Sequence, residues 1–496
     1  MPGSRPIATA VLGRTLRHRE VWVGFGACVV VAVTSVTVRQ SPLFDLPAAL
    51  AAVRDAIAGQ AEQVVLLAAT AALIAAWLRL RPRREAGAVS PETVVVVWSA
   101  PLLVALPSFT DDPWAYFDQG WQLSRGIDPY VVGLTDAGGP FAPFVDPSWA
   151  HTATAYPPVA LRLSQAVVLA ADAHPLASLL VLRLVALAAL LACGWSIRRL
   201  APLAGVRGDV ACWAVVANPF LLLEGVFNAH TELLMVAVVL VAFTVARGRF
   251  GVVLGAAFLA VAAALKQPAI VFAPALALFT VPPAVRARGR SRVWVSAASR
   301  LLLVGLVGSA VFLLISWASG LGTGWIANTG TPSRNWSPSA AHLLRPVINA
   351  VARTAGADTP VVSFAVVAGS LTVAGLVAMA VAAVITVPTW SWARLAWVSA
   401  LVYLLMSASL WPWYAVPLVV FLALDGDSPR APRTAVCATV VLTVWSAAGG
   451  DVLTPSHALL AAVLLALLVF RYAPDLPELA RRAPRYAHPA GWDEHS

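Results

Sequence analysis

The chain has 496 residues, of which 59% are hydrophobic and 12% charged, with a mean hydropathy of +0.79. Soluble domains carry about 25% charged residues, so this composition excludes a water-solvated globule and makes lipid the solvent. A net charge of +10 would suit nucleic acid, but the cations follow membrane topology, and no nucleic-acid partner is expected.

Arg5, Arg14, Arg17 and Arg19 precede the first apolar run. No A-x-A cleavage site follows and many more apolar runs do, so this segment is expected to be an anchor helix, not a cleaved signal. With about 20 apolar residues per crossing, the expected spans are 21–38, 61–78, 92–107, 176–195, 209–227, 231–246 and 250–265, followed by 268–282, 299–318, 361–387, 393–409, 411–424, 434–449 and 456–471. The segment 157–172 is also apolar, either re-entrant or lying on the membrane. The expected fold is therefore all-α, a polytopic membrane helical bundle of about 14 spans (range 12–14). It forms one unit over 1–475, followed by a polar cytoplasmic tail, 476–496.

Cation placement orients the bundle. With the N-terminus in the cytoplasm, twenty-five of the 34 cationic residues fall inside, among them Arg79, Arg81, Arg198, Arg199, Arg286, Arg290 and Arg430. Seven fall outside: Arg39, Arg54, Arg125, Lys266, Arg334, Arg345 and Arg353. Arg162 and Arg183 lie within apolar stretches. Both termini are thus expected in the cytoplasm of a cell (plasma) membrane protein. Two long loops, 108–156 and 319–360, face outward with the short turns 228–232, 266–268 and 411–414. The chemistry collects on that outer face.

The first outer loop opens with Thr110-Asp111-Asp112-Pro113-Trp114-Ala115-Tyr116-Phe117-Asp118-Gln119-Gly120. A carboxylate here could act as a general base toward an incoming hydroxyl; its bland alternative is a helix start, with a cap and an early proline. Gly126-Ile127-Asp128-Pro129-Tyr130 and Tyr156-Pro157-Pro158 follow, each turn chemistry when taken alone. The turn Asn228-Ala229-His230-Thr231-Glu232 sets an amide, an imidazole and a carboxylate between two apolar spans, where polar groups are costly and mark sites. Glu224, inside the preceding span, raises the same question. Lys266 is the chain's one lysine and stands against the positive-inside trend, so it could meet a phosphate as a point charge. In the second loop Arg334 could clamp a phosphate and Trp336 could lie against a sugar or lipid. Trp411-Pro412-Trp413-Tyr414 reads as interfacial aromatics or as the lining of a lipid or sugar groove.

Cys28, Cys193, Cys212 and Cys437 sit in apolar runs without a CxxC pair, as small buried residues do. No HExxH, P-loop or dense carboxylate cluster is present, so no metal and no cofactor are expected.

In this order, Asp112-Pro113-Trp114-Ala115-Tyr116-Phe117-Asp118-Gln119-Gly120, Gly126-Ile127-Asp128-Pro129-Tyr130, Tyr156-Pro157-Pro158, Asn218-Pro219, His230-Thr231-Glu232, Lys266, Trp336-Ser337-Pro338 and Pro412-Trp413-Tyr414 resemble the actinobacterial polyprenol-phosphomannose-dependent α-1,6-mannosyltransferases (MptA/MptB type), membrane glycosyltransferases of the GT-C class. The likeness covers about residues 90–425. It departs at Glu232, where the family has aspartate, and at Tyr156-Pro157-Pro158, where it has Tyr-Gly-Pro.

The resemblance implies transfer of a sugar, mannose, from a polyprenyl phosphate to a cell-envelope glycan or glycolipid of the lipomannan α-1,6-mannan type, with inversion and without a metal. It implies Asp112 as general base, with Asp111 a second candidate. Lys266, His230 and Arg334 would bind the phosphate. Trp336, Trp413 and Tyr414 would line the lipid or sugar groove. Glu232 would orient His230 or hold an acceptor hydroxyl, and Asn228, Tyr116, Tyr130 and Tyr156 would orient substrate. A phosphatidylinositol-mannoside mannosyltransferase, an arabinosyltransferase and a lipid or sugar transporter are the competing readings. A transporter would show an internal repeat and a midplane site, neither of which the sequence displays.

Overall fold

The computed structural model describes residues 7–38, 60–82, 89–107, 109–248, 250–330, 337–356, 362–387, 389–448 and 465–466. Among these the chain is helical and without strands. Lipid cannot hydrogen-bond exposed backbone, so apolar runs close their own bonds as helices.

Among the described residues, three helices are long and apolar enough to cross a membrane: Pro175–Leu200, Arg290–Ala318 and Phe364–Thr386. A fourth span is reached if Leu221–Phe227 and Thr231–Val245, bent by 104°, count as one. Shorter apolar helices include Pro91–Leu103, Gly251–Leu265, Trp392–Met406 and Ala431–Ala447. The chain is a helical membrane protein. Arg290–Ala318 shows the lipid side plainly, because only 11% of its apolar window is buried and Leu302, Leu306 and Leu313 point outward.

Several expected spans are interrupted, and the sequence holds the reasons. The run 209–227 does not form one unbroken helix. Gly208–Val215 ends at Asn218-Pro219, and Leu221–Phe227 resumes as a π-helix. Pro219 has no N–H to continue the ladder. Asn218 repairs the break: its Oδ1 accepts from the backbone N–H of Phe220 (2.9 Å) and Leu221 (3.2 Å), and its amide donates to Ala214 O and Thr439 Oγ1. The runs 268–282 and 411–424 each begin as a 3-10 turn behind a proline, at Gln267–Phe272 and Pro412–Ala415. The ambiguous segment 157–172 is a helix, Pro158–Ala170, packed on the first-loop helix Asp112–Ser124. Gly120 permits that approach, since a Cβ there would run into the backbone carbonyl of Ser164. The expected span 456–471 and the tail 476–496 lie outside the described residues, apart from residues 465–466.

The core pins the interrupted elements. Trp77 and Trp213 stack at 4.6 Å, and each indole N–H donates to the other's backbone carbonyl, at 3.2 and 2.9 Å. Cys28, Cys193 and Cys212 are buried as expected, Cys437 is half-buried, and all four are free thiols. Arg183 is fully buried. Its guanidinium donates to the carbonyls of Phe227 (2.7 Å), Leu103 (3.2 Å) and Ala105 and lies over the Phe227 ring at 5.0 Å. It thereby fastens the ends of Pro91–Leu103 and Leu221–Phe227 beside the first-loop helix.

Candidate active site

The first-loop helix begins with Asp112 at its first position and Pro113 at its second; the Asp112 N–H donates to Thr110 Oγ1 at 3.1 Å. Proline suits a helix start, and a carboxylate there meets the positive end of the helix dipole. Asp112 is half-buried, and Tyr116, one turn on, donates its hydroxyl to Asp112 Oδ2 at 3.2 Å. The ring of Tyr116 meets Tyr156 edge-on, with centroids 5.3 Å apart, and the Tyr156 hydroxyl donates to Tyr116 Oη at 3.3 Å.

The turn 228–230 comes up beneath this helix. Ala229 is fully buried at φ +53°, a left-handed conformation costly for a residue with a Cβ and held only where the surroundings over-determine it. The result is a buried imidazole between two carboxylates. His230 Nδ1 lies 3.5 Å from Asp112 Oδ2, and Nε2 lies 3.1 Å from Glu224 Oε2. Both are ion-pair contacts without hydrogen-bond alignment. Asn228 donates to the same Glu224 oxygen at 3.2 Å. Above the imidazole, Trp413 stacks at 3.9 Å and 12°, and Trp411 stacks on Trp413 at 5.4 Å and 2°. Flanking carboxylates favour the doubly protonated imidazolium.

Lys266 caps Gly251–Leu265 in extended backbone. Its ammonium pairs with Glu232, both groups being buried, and sits 5.4 Å from the Tyr156 ring centroid and 5.2 Å from that of Tyr414. Glu232 is therefore the partner of Lys266. The carboxylates that meet His230 are Asp112 and Glu224.

Part of this group borders one cleft of about 320 Å³, at the small end of ligand pockets, roughly 300–1,000 Å³; the buried His230, Glu224, Asn228 and Glu232 do not line it. Asp111, Asp112, Tyr116, Tyr156, Lys266, Trp411, Trp413 and Tyr414 line the cleft. Lys266 and Tyr414 also border a narrow apolar recess whose walls include Met235, Phe272 and Tyr403. Burial alone would push the Asp112 carboxyl up, but the contacts with His230, Lys266 and Tyr116 outweigh it and hold the carboxyl below its ordinary value. Burial, joined by the nearby acidic groups, raises the Tyr116 and Tyr156 phenols, so both remain protonated donors at neutral pH.

The structure thus brings together Asp111, Asp112, Tyr116, Tyr156, His230, Glu232, Lys266, Trp413 and Tyr414, with Asn228 behind His230. Tyr130 is placed differently. Its hydroxyl donates to Tyr156 O at 3.1 Å, its own carbonyl accepts from Asn328 Nδ2 at 3.0 Å, and it does not line the cleft. It braces the loop that carries Tyr156. Arg334 and Trp336 lie outside the described residues. The contribution of Trp411 to the cleft was readable only as one aromatic in a run, and the tie between Glu224 and His230 depends on the strained turn between them.

A family model described as alpha-(1->6)-mannopyranosyltransferase, N-terminal domain, matches residues 21–282. The chain is 31% identical over 403 residues to alpha-(1->6)-mannopyranosyltransferase A of Mycobacterium tuberculosis, covering 77% of this chain and 74% of that protein. It is 28% identical over 307 residues to alpha-(1->6)-mannopyranosyltransferase A of Corynebacterium glutamicum, covering 56% and 61% respectively. The chain thus spans about three quarters of the first relative and about three fifths of the second. No solved structure matches it.

Proposed function

The chain belongs to the alpha-(1->6)-mannopyranosyltransferase family, and from that premise we propose that it transfers mannose from a polyprenyl phosphate to a mannan-type glycan or glycolipid of the cell envelope. The observation that carries the reading is one carboxylate, Asp112, in contact with an imidazole at the edge of a cleft that a lysine and stacked indoles also line.

The chemistry suits those groups. A phosphate leaves without being protonated, so the site needs a base for the acceptor hydroxyl and cationic or hydrogen-bonding groups for the charge developing on phosphate. Asp112 takes the acceptor proton. The Lys266 ammonium lines the same cleft and stabilises the departing oxygens, while Tyr116 and Tyr156, whose hydroxyls donate to Asp112 and to Tyr116, hold the base in place. Trp411 and Trp413 offer flat apolar faces to a sugar ring or prenyl unit. Attack of the acceptor oxygen on C1 of a β-linked phosphomannose forms one C–O bond as the C1–O–phosphate bond breaks, giving an α-linked product by inversion. Charge is balanced by side chains in this scheme, and no metal enters it.

The sidedness follows from the cations. The proposed topology has about fourteen crossings in a plasma-membrane GT-C enzyme, with both termini cytoplasmic and the cleft extracytoplasmic. Arg334 and Trp336 complete the phosphate and lipid contacts in this reading.

The test is transfer by the purified protein from synthetic polyprenyl-phosphomannose to short α-mannosides, with and without chelator, read by product mass and linkage. An α-1,6-extended product that survives chelator supports the reading. Transfer only from another lipid-linked sugar would overturn the mannose assignment.

A further inference from the structure

The helix Ala340–Thr354 is amphipathic the wrong way round for a protein surface in water. At 3.6 residues per turn, Leu343, Val347 and Val351 share one face, and all three point away from the protein, 53%, 57% and 63% exposed. Leu344 and Ile348 widen that face and are exposed as well. The opposite side is polar and turned inward. Asn349 exchanges two 3.1 Å hydrogen bonds with the backbone of Val362, and the His342 ring lies 4.4 Å from Phe364. Arg345 and Arg353 stand exposed along the polar edge.

The helix is not one of the apolar crossings. Its 15 residues carry His342, Arg345, Asn349 and Arg353, and charged groups within the hydrocarbon are costly. Nor does it stand apart from lipid. The Asn349–Val362 bonds fasten it two residues before Phe364–Thr386, a span whose apolar window is only 17% buried. The described helix preceding it, save a short 3-10 turn, is Arg290–Ala318, the most lipid-exposed of the long helices. The face, exposed among the described residues, therefore adjoins the surface that Phe364–Thr386 gives to acyl chains, and the two arginines suit lipid phosphates at its edge.

We propose that Ala340–Thr354 lies in the plane of the membrane interface, with Leu343, Val347 and Val351 among the acyl chains and Arg345 and Arg353 at the lipid phosphates. The position matters because the start of this helix is bolted to the cleft. Ser339 Oγ donates to Ala408 O at 2.8 Å, and Ser337 Oγ accepts from Leu410 N at 3.1 Å, directly before Trp411. An interfacial helix so attached holds the indole wall at headgroup depth, where a lipid-linked phosphate resides. This last step rests on the proposed function; the placement of the helix does not.

The test is spin-label accessibility in the full-length protein, reconstituted in vesicles of phosphatidylcholine and phosphatidylglycerol. Single cysteines are introduced as L343C, V347C, V351C, R345C and R353C in a C437A background, the other three thiols being buried. Oxygen should relax labels at 343, 347 and 351 more than a water-soluble nickel chelate does, with the order reversed at 345 and 353. Nickel dominance at all five positions would place the face in water and overturn the inference. Exclusion of both reagents with spin–spin broadening at 343, 347 and 351 would also overturn it, assigning the face to a second copy. Neither outcome would touch the transfer activity, which is measured separately.

Discussion

His230 lies flat against Trp413, ring centroids 3.9 Å apart and planes within 12°, while its two nitrogens face Asp112 and Glu224. The imidazole is thus fixed in its plane by the indole and in its rotation by two carboxylates. An imidazolium so held supports an ionised Asp112, the state a general base needs.

That arrangement makes the pH profile informative. The Asp112 carboxyl is held below its ordinary value chiefly by His230, against the cost of burial. The acid limb of kcat/KM should therefore lie below the ordinary carboxylate range. H230Q removes the cation and should raise that limb. E224Q keeps the shape but removes the second carboxylate, so its limb should fall between those of wild type and H230Q. Equal limbs in all three proteins would separate His230 from the base.

The Lys266–Glu232 pair is buried, so removing one partner strands the other charge. K266M should cost about 3–5 kcal/mol of stability, read as a lower melting temperature in detergent. The double variant K266M/E232L should recover most of that stability. It should not recover turnover, because the ammonium that faces the cleft is gone. Full activity in the stable double variant would remove Lys266 from the phosphate site.

Gly120→Ala tests the seat of the first-loop helix. The added methyl meets Ser164 backbone, which cannot swing aside as a side chain would. Overpacking of this kind costs about 1–3 kcal/mol, and the displaced helix carries Asp112 with it. Both the melting temperature and kcat should fall, with KM for the lipid donor changing less.

Much of this was legible before any coordinates. Long apolar runs announce helices because lipid offers the backbone no alternative, and Pro175–Leu200, Arg290–Ala318 and Phe364–Thr386 came through as expected. The polar residues of the cleft were legible as well, since Asp112, His230 and Lys266 stand out against apolar neighbours. The interrupted spans were not. Asn218-Pro219 reads equally as a kink inside a straight span, and only the capping by Asn218 and its bond to distant Thr439 turn it into a break. Nor was the pairing of charges legible. Glu232 is two residues from His230 in sequence, yet it points to Lys266. Glu224 is six away and reaches His230 because Ala229 adopts a left-handed turn. Tyr130 shares a motif with the cleft residues and lies behind them, because its hydroxyl is spent on the Tyr156 carbonyl.

The most direct test compares Asp112→Asn with Asp111→Asn in one transfer assay, using polyprenyl-phosphomannose and an α-mannoside acceptor with both proteins confirmed folded by their melting temperatures. Both carboxylates line the cleft, and Asp112 is in contact with His230 and Tyr116. D112N should lose about 10²–10⁴-fold in kcat, the usual worth of a general base, with D111N retaining far more. Near-wild-type turnover by D112N would contradict the assignment of the base and, with it, the mechanism proposed for this cleft.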